Sequence, residues 1–186
     1  MKLVCLKPFS WYEVAWNKQA YLCCSGWLPK SIGSAVDTDP LTLWTSAEAI
    51  KIRQSVIDGG FEYCSSEFCP HLSNKTYPVK YVEEDEYLIL QKQVTEPRIN
   101  LPTPQWLTFS YDLSCNLACP SCRNEILMAS KEERVIYDEL SKETLKNFSN
   151  ARHLYITGSG DPFASRHFWR LLLSDELLKY PDLSLN

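Results

Sequence analysis

Trp106-Leu107-Thr108-Phe109-Ser110-Tyr111-Asp112, followed two residues later by Cys115-Asn116-Leu117-Ala118-Cys119-Pro120-Ser121-Cys122, is the stretch on which the fold turns. Its first half is an apolar, strand-like run, and its second half packs three thiols into eight residues. A C-x3-C-x2-C spacing directly after a strand makes a metal nest that is one ligand short. A cubane iron–sulfur cluster normally takes four thiolates, so three leave one iron open. The alternative is structural zinc, which closes a tetrahedral shell with four ligands. No fourth Cys or His lies close by, and the nearest downstream candidate is His153, beyond a helical stretch.

Downstream, Lys131 to about Phe148 repeats Val135, Ile136, Leu140, Leu145 and Phe148 in a helical manner, with expected breaks. His153-Leu154-Tyr155-Ile156-Thr157 reads as a buried strand. A helix from about Ser165 to Lys179 should turn Phe168, Leu171, Leu172 and Leu178 inward, and Leu183-Ser184-Leu185 begins a third strand. Strand, helix, strand, helix, strand is the order of an α/β fold with parallel pairing and right-handed crossovers. Gly158-Ser159-Gly160-Asp161-Pro162-Phe163 falls after the second strand, at the end where parallel sheets bind ligands. Glycines there let backbone approach a ligand closely, although a plain tight turn uses the same residue types.

The cysteine triad behind its strand resembles the signature of radical S-adenosylmethionine enzymes. That resemblance implies a catalytic 4Fe-4S cluster on Cys115, Cys119 and Cys122, with the open iron chelating S-adenosylmethionine. Gly158, Ser159, Gly160 and Asp161 resemble the family's Gly-Gly-Glu-Pro element and are the cofactor-binding residues, with Asp161 in place of Glu and Ser159 extra. The resemblance also implies a reductant such as a ferredoxin or flavodoxin and a peptide or small-molecule substrate. It implies no catalytic side chain here. Ser121 departs from the family, where an aromatic residue commonly precedes the last cysteine.

Five further cysteines, Cys5, Cys23, Cys24, Cys64 and Cys69, occupy the first 70 residues. Val14 to Leu22 reads as two short strands around an Asn17-Lys18 turn, a hairpin that returns Cys23 and Cys24 toward Cys5. Thr45 with Glu48 predicts a capping box, Ala49, Ile52 and Val56 the inner face of a helix, and Gly59-Gly60 its end. Cys64 and Cys69 follow, so a four-thiolate shell of Cys5, Cys64, Cys69 and one of the adjacent pair is expected, Cys23 being slightly favoured over Cys24. Four sulfurs with no open position also suit zinc.

The landmarks Cys5 with Pro8-Phe9, Cys23-Cys24, Ile32-Gly33, Leu43-Trp44, Ile52-Arg53, Gly60, Cys64 and Cys69-Pro70 resemble a SPASM domain, and imply a second, auxiliary 4Fe-4S cluster. In most relatives that module follows the catalytic domain, whereas here it precedes it. The expected organisation is therefore α/β: a small α+β cysteine-rich cluster-binding domain over residues 1–72, a linker over 73–105, and the first strand–helix units of a partial (βα)6 parallel barrel over 106–186. The family's barrel has about six units, so the sequence reads as a truncated or incomplete copy whose activity is uncertain.

Residues 73–105 read as a connector because Pro97, Pro102 and Pro104 oppose regular structure and Glu83-Glu84-Asp85-Glu86 reads as a solvated face. A net charge of −4 without a clustered Lys/Arg run argues against nucleic acid. The N-terminus has no apolar run of signal or membrane-span length, so no membrane partner and a reducing cytoplasm are expected, where eight cysteines serve metals more readily than disulfides. His71, His153 and His167 read as structural or surface residues, the six tryptophans as core or interface anchors, and Arg123 as a surface or cofactor-facing cation. The competing functional reading is a non-enzymatic, zinc-binding interaction module.

Overall fold

The computed structural model describes residues 1–156, 160–180 and 182–186. Its strands are β1 (Lys2–Cys5), β2 (Trp11–Ala15), β3 (Gln19–Tyr21), β4 (Gly33–Ser34), β5 (Val79–Val82), β6 (Trp106–Ser110), β7 (His153–Ile156) and β8 (Ser184–Leu185). Its helices are α1 (Pro40–Trp44), α2 (Ala47–Ile57), α3 (Pro70–Asn74), α4 (Glu84–Thr95), α5 (Pro97–Asn100), α6 (Lys131–Asn147) and α7 (Arg166–Leu173).

The chain is α/β. A mixed six-stranded sheet has the order β4-β3-β2-β6-β7-β8, and β1 pairs with β5 in a separate antiparallel ribbon. The strands β6, β7 and β8 are parallel neighbours, as the alternation of strands and helices requires. β2 also joins this set: it pairs parallel with β6 from Trp11↔Trp106 to Ala15↔Ser110. One sheet thus runs through both cysteine-bearing segments. Both strands are buried from their second residue to their last, and a parallel strand buried on both faces needs a neighbour on each side.

One face of the sheet carries Tyr12, Val14, Leu107, Phe109, Leu154 and Ile156 into the larger core, against Trp44, Tyr137, Leu140, Phe168 and Leu171. The opposite face carries an aromatic ladder: Trp11 stacks on Trp106 at 6.4 Å, and Trp106 on His153 at 3.7 Å. A smaller core gathers Val4, Phe9, Val56, Ile57, Val82, Tyr87, Leu90 and Val94. Arg53 is fully buried between the two. Its Nε donates to Pro8 O (2.9 Å) and its Nη1 to Trp44 O (2.7 Å), its guanidinium lies 4.2 Å from the Trp44 ring centre, and burial pulls its pKa down to about 9.

Several local expectations are corrected. Residues 73–105 are not a structureless linker, for they hold β5, α4 and α5. The acidic run starts α4, where carboxylates suit the positive end of the helix, and Tyr87, Leu90 and Val94 bury at helical spacing. Pro97 occupies the first turn of α5, where no backbone donor is needed. Helix α2 is capped by Ser46, whose hydroxyl accepts from Ala49 N at 3.2 Å, while Thr45 turns back to Leu41 O at 3.0 Å. Helix α6 runs unbroken behind a Ser130/Glu133 capping box. Helix α7 stops at Leu173, and Leu178 is 76% exposed, not inward. Among the described residues no helix is long and apolar enough to cross a membrane.

Candidate functional site

The β2–β3 hairpin does what the Asn17-Lys18 turn predicts. Lys18 takes the left-handed backbone conformation (φ 59°), Asn17 Oδ1 accepts from Gln19 N at 3.1 Å, and β3 leads back to Cys23 beside the start of β2. Cys5, Cys23, Cys64 and Cys69 then line one small cavity of about 20 Å³, closed by Pro8, Trp27, Leu28, Phe61, Leu72 and Val79. The cavity sits on the seam between the cores: Cys23 belongs to the larger, Cys5 packs against the smaller, and Cys64 packs against both.

The structure separates the adjacent pair. Cys23 is buried and lines the cavity, whereas Cys24 is half-buried and turns toward the Gly26 and Trp27 amides and Glu13. Burial pushes the Cys5 thiol up to about 11 and the Cys64 thiol up to about 12, and raises Cys23 strongly. Neighbouring sulfurs add to each rise, Cys69 acting on Cys5 and on Cys64, and Cys5 on Cys23. These shifts keep the thiols protonated near neutral pH, and ionising them here would need a compensating cation.

The triad has the opposite setting. Its loop leaves the carboxyl end of β6, with Cys115 half-buried and Cys119 and Cys122 exposed. Cys115 N donates to Leu127 O at 2.7 Å, pinning the loop's entry to its exit. One tight turn joins the other two cysteines, Cys122 N donating to Cys119 O at 2.8 Å and Arg123 N at 2.9 Å. Arg123 reaches back to Leu113 O (2.8 Å) and lies 3.8 Å from the Cys122 sulfur, so it braces the loop. Among the described residues no three His, Cys, Asp or Glu side chains converge closely enough to hold a single metal ion.

Gly158 and Ser159 lie outside the described residues. Gly160 and Asp161 come from the loop after β7 and meet the triad loop directly. Asp161 N donates to Ser114 O at 2.8 Å. A Cβ on Gly160 would stand 2.5 Å from Asp112 O and 2.9 Å from Ser114 O, so the glycine serves an approach between two stretches of protein backbone. Asp161 Oδ1 accepts from Phe163 N at 2.9 Å, which fixes the turn into α7.

Buried polar groups hold these loops: Asp112, whose role sequence reasoning missed, and His167, which it read as structural or surface. Asp112, 2% exposed, accepts from Ser114 N (2.8 Å) and from Ser165 Oγ (2.5 Å), and Ser165 in turn caps α7. His167 is buried with Nδ1 2.7 Å from Asp138 Oδ1 and Nε2 3.1 Å from the Tyr111 hydroxyl, tying β6 to α6 and α7. With the proton on Nδ1 facing the carboxylate, Tyr111 donates to Nε2. Burial lowers the His167 pKa, and Asp138 partly offsets this.

Glu13 joins the two ends of the sheet. Its carboxylate accepts from Ser25 N and Oγ, both at 3.2 Å, and from Ser110 Oγ at 2.8 Å. Burial raises its pKa, and these hydrogen bonds oppose the rise. A charged residue inside the apolar run Trp11-Tyr12-Glu13-Val14-Ala15 is the signal that could have flagged it. The four-cysteine cavity lies by the amino ends of β2 and β6 and the triad by the carboxyl end of β6. A five-residue strand spans about 16 Å, so the two thiol sets stand toward opposite ends of the same central strands.

A scan of protein-family models, a search of curated proteins and a search of solved structures each found no match to this chain.

Proposed function

We propose that this chain is an iron–sulfur protein of the radical S-adenosylmethionine type, with a catalytic cluster on Cys115, Cys119 and Cys122 and a closed auxiliary cluster on Cys5, Cys23, Cys64 and Cys69. The observation that carries the reading is the contrast in setting: four thiols enclosed around one cavity, and three on an accessible loop at the carboxyl edge of parallel strands. A closed thiolate shell suits a relay or structural cluster, and an exposed three-thiolate set leaves an iron for a ligand. The partial parallel barrel and the SPASM-like module belong to this proposal. A cluster held by Cys115, Cys119 and Cys122, reduced by a ferredoxin- or flavodoxin-class donor, would supply one-electron reductive cleavage of S-adenosylmethionine for hydrogen abstraction from a peptide or small-molecule substrate.

The chain's own residues supply the frame. Asp112 and Ser114 hold the start of the triad loop, Arg123 braces its last cysteine, and the Gly160-Asp161 backbone closes against it from β7. In the reduced, reconstituted protein, adding S-adenosylmethionine should change the electron paramagnetic resonance spectrum of the triad cluster and leave the auxiliary signal as it was. An unchanged triad spectrum would defeat the proposal.

A further inference from the structure

A groove of about 420 Å³ runs between residues 35–40 and the flank of α6 that bears Val135, Glu139 and Glu143. It is distinct from both thiol sets. Val36 and Val135 are 49% and 64% exposed among its lining residues, accessible apolar surface above the buried Leu140 and Thr144. Four carboxylates line it, on Asp37, Asp39, Glu139 and Glu143, with no Lys or Arg among the lining residues. Asp39 accepts from Thr42 N at 2.9 Å as the cap of α1, and Glu143 meets Lys146 at 3.3 Å on the exposed surface. Asp37 and Glu139 enter no ion pair among the described residues.

We infer that this groove docks a basic, amphipathic segment of a partner polypeptide. The partner's apolar side chains cover Val36 and Val135 while its Lys and Arg side chains reach the carboxylates on either wall. Charge complementarity selects this occupant. A nucleic-acid or anionic-lipid surface is repelled by the same four groups, and a bare cation gains nothing from the exposed valines. The inference stands apart from the cluster reading and survives its failure.

The test is fluorescence anisotropy of the full chain with a fluorescein-labelled synthetic peptide of lysine and leucine in amphipathic order, and with its glutamate–leucine counterpart. Glu139→Lys/Glu143→Lys should weaken binding of the basic peptide by at least about tenfold, and the uncharged Val135→Gln, which removes only apolar contact, should weaken it by at least about threefold. Glu84→Lys/Asp85→Lys on α4 makes the same change in net charge away from the groove and should weaken it less than about twofold. Circular dichroism checks that each variant is folded, and Val135 is exposed enough to change without touching the core. Equal weakening by the α4 pair, or equal affinity for the acidic peptide, would overturn the inference.

Discussion

Cys23 is 7% exposed and belongs to the larger core, whereas Cys119 and Cys122 are exposed on a loop held by backbone hydrogen bonds and a few polar side chains. Around the four-cysteine cavity, folding itself brings the thiols together, because the hairpin, α2 and the β1–β5 ribbon each bury apolar residues there. Around the triad, folding fixes only the loop's two ends. The difference teaches that a metal bound at the first site would be tied to stability, and one bound at the second would be open to chemistry.

The sharpest way to break that comparison is to remove one thiol from each region. Cys23→Ser should cost about 2–4 kcal/mol, since it buries a hydroxyl among apolar neighbours and opens the closed shell. Cys119→Ser should change stability by less than about 0.5 kcal/mol while abolishing cofactor binding. Cys24→Ser should retain the auxiliary iron. Denaturant titration with iron analysis reads all three, and equal costs for Cys23 and Cys119 would erase the contrast.

Gly160→Ala probes the seam at the triad's end. A Cβ 2.5 Å from the Asp112 carbonyl forces the two loops apart. The expected cost is about 1–3 kcal/mol in thermal or denaturant unfolding, with weakened S-adenosylmethionine binding measured by calorimetry. Ser46→Ala probes the cavity's end and should cost about 1 kcal/mol by uncapping α2, whereas Thr45→Ala costs less.

The smallest effect is a pH dependence carried by His167. Its folded pKa lies below the ordinary 6.5, so below that value the unfolded chain binds a proton that the native one resists. Stability should therefore fall as pH drops through about 6.5, and His167→Gln should flatten that slope in a series of thermal melts.

Much of this arrangement was legible in the sequence, because it rests on local chemistry. The Asn17-Lys18 turn, the strand ahead of the triad and the helix over residues 131–147 each announce themselves by turn type or apolar period. The pairing of β2 with β6 was not legible, since nothing local to Trp11–Ala15 names a partner 95 positions away. Helix α4 was hidden by its carboxylates, which read as solvated charge until the helix end they stabilise is seen. At the site, the four enclosing cysteines and the triad were visible as spacing. The roles of Glu13 and Asp112 were not, because they depend on partners such as Ser110 and Ser165 from distant segments, and His167 was read as structural or surface without its partner Asp138.

The central claim, two separate cluster sites of different character, is tested most directly by iron and acid-labile sulfide per chain after anaerobic reconstitution. The parent should hold about eight irons, and a Cys115→Ala/Cys119→Ala/Cys122→Ala variant about four, with the fold intact. Zinc in place of iron, or an iron content that the triple variant leaves unchanged, would contradict the account.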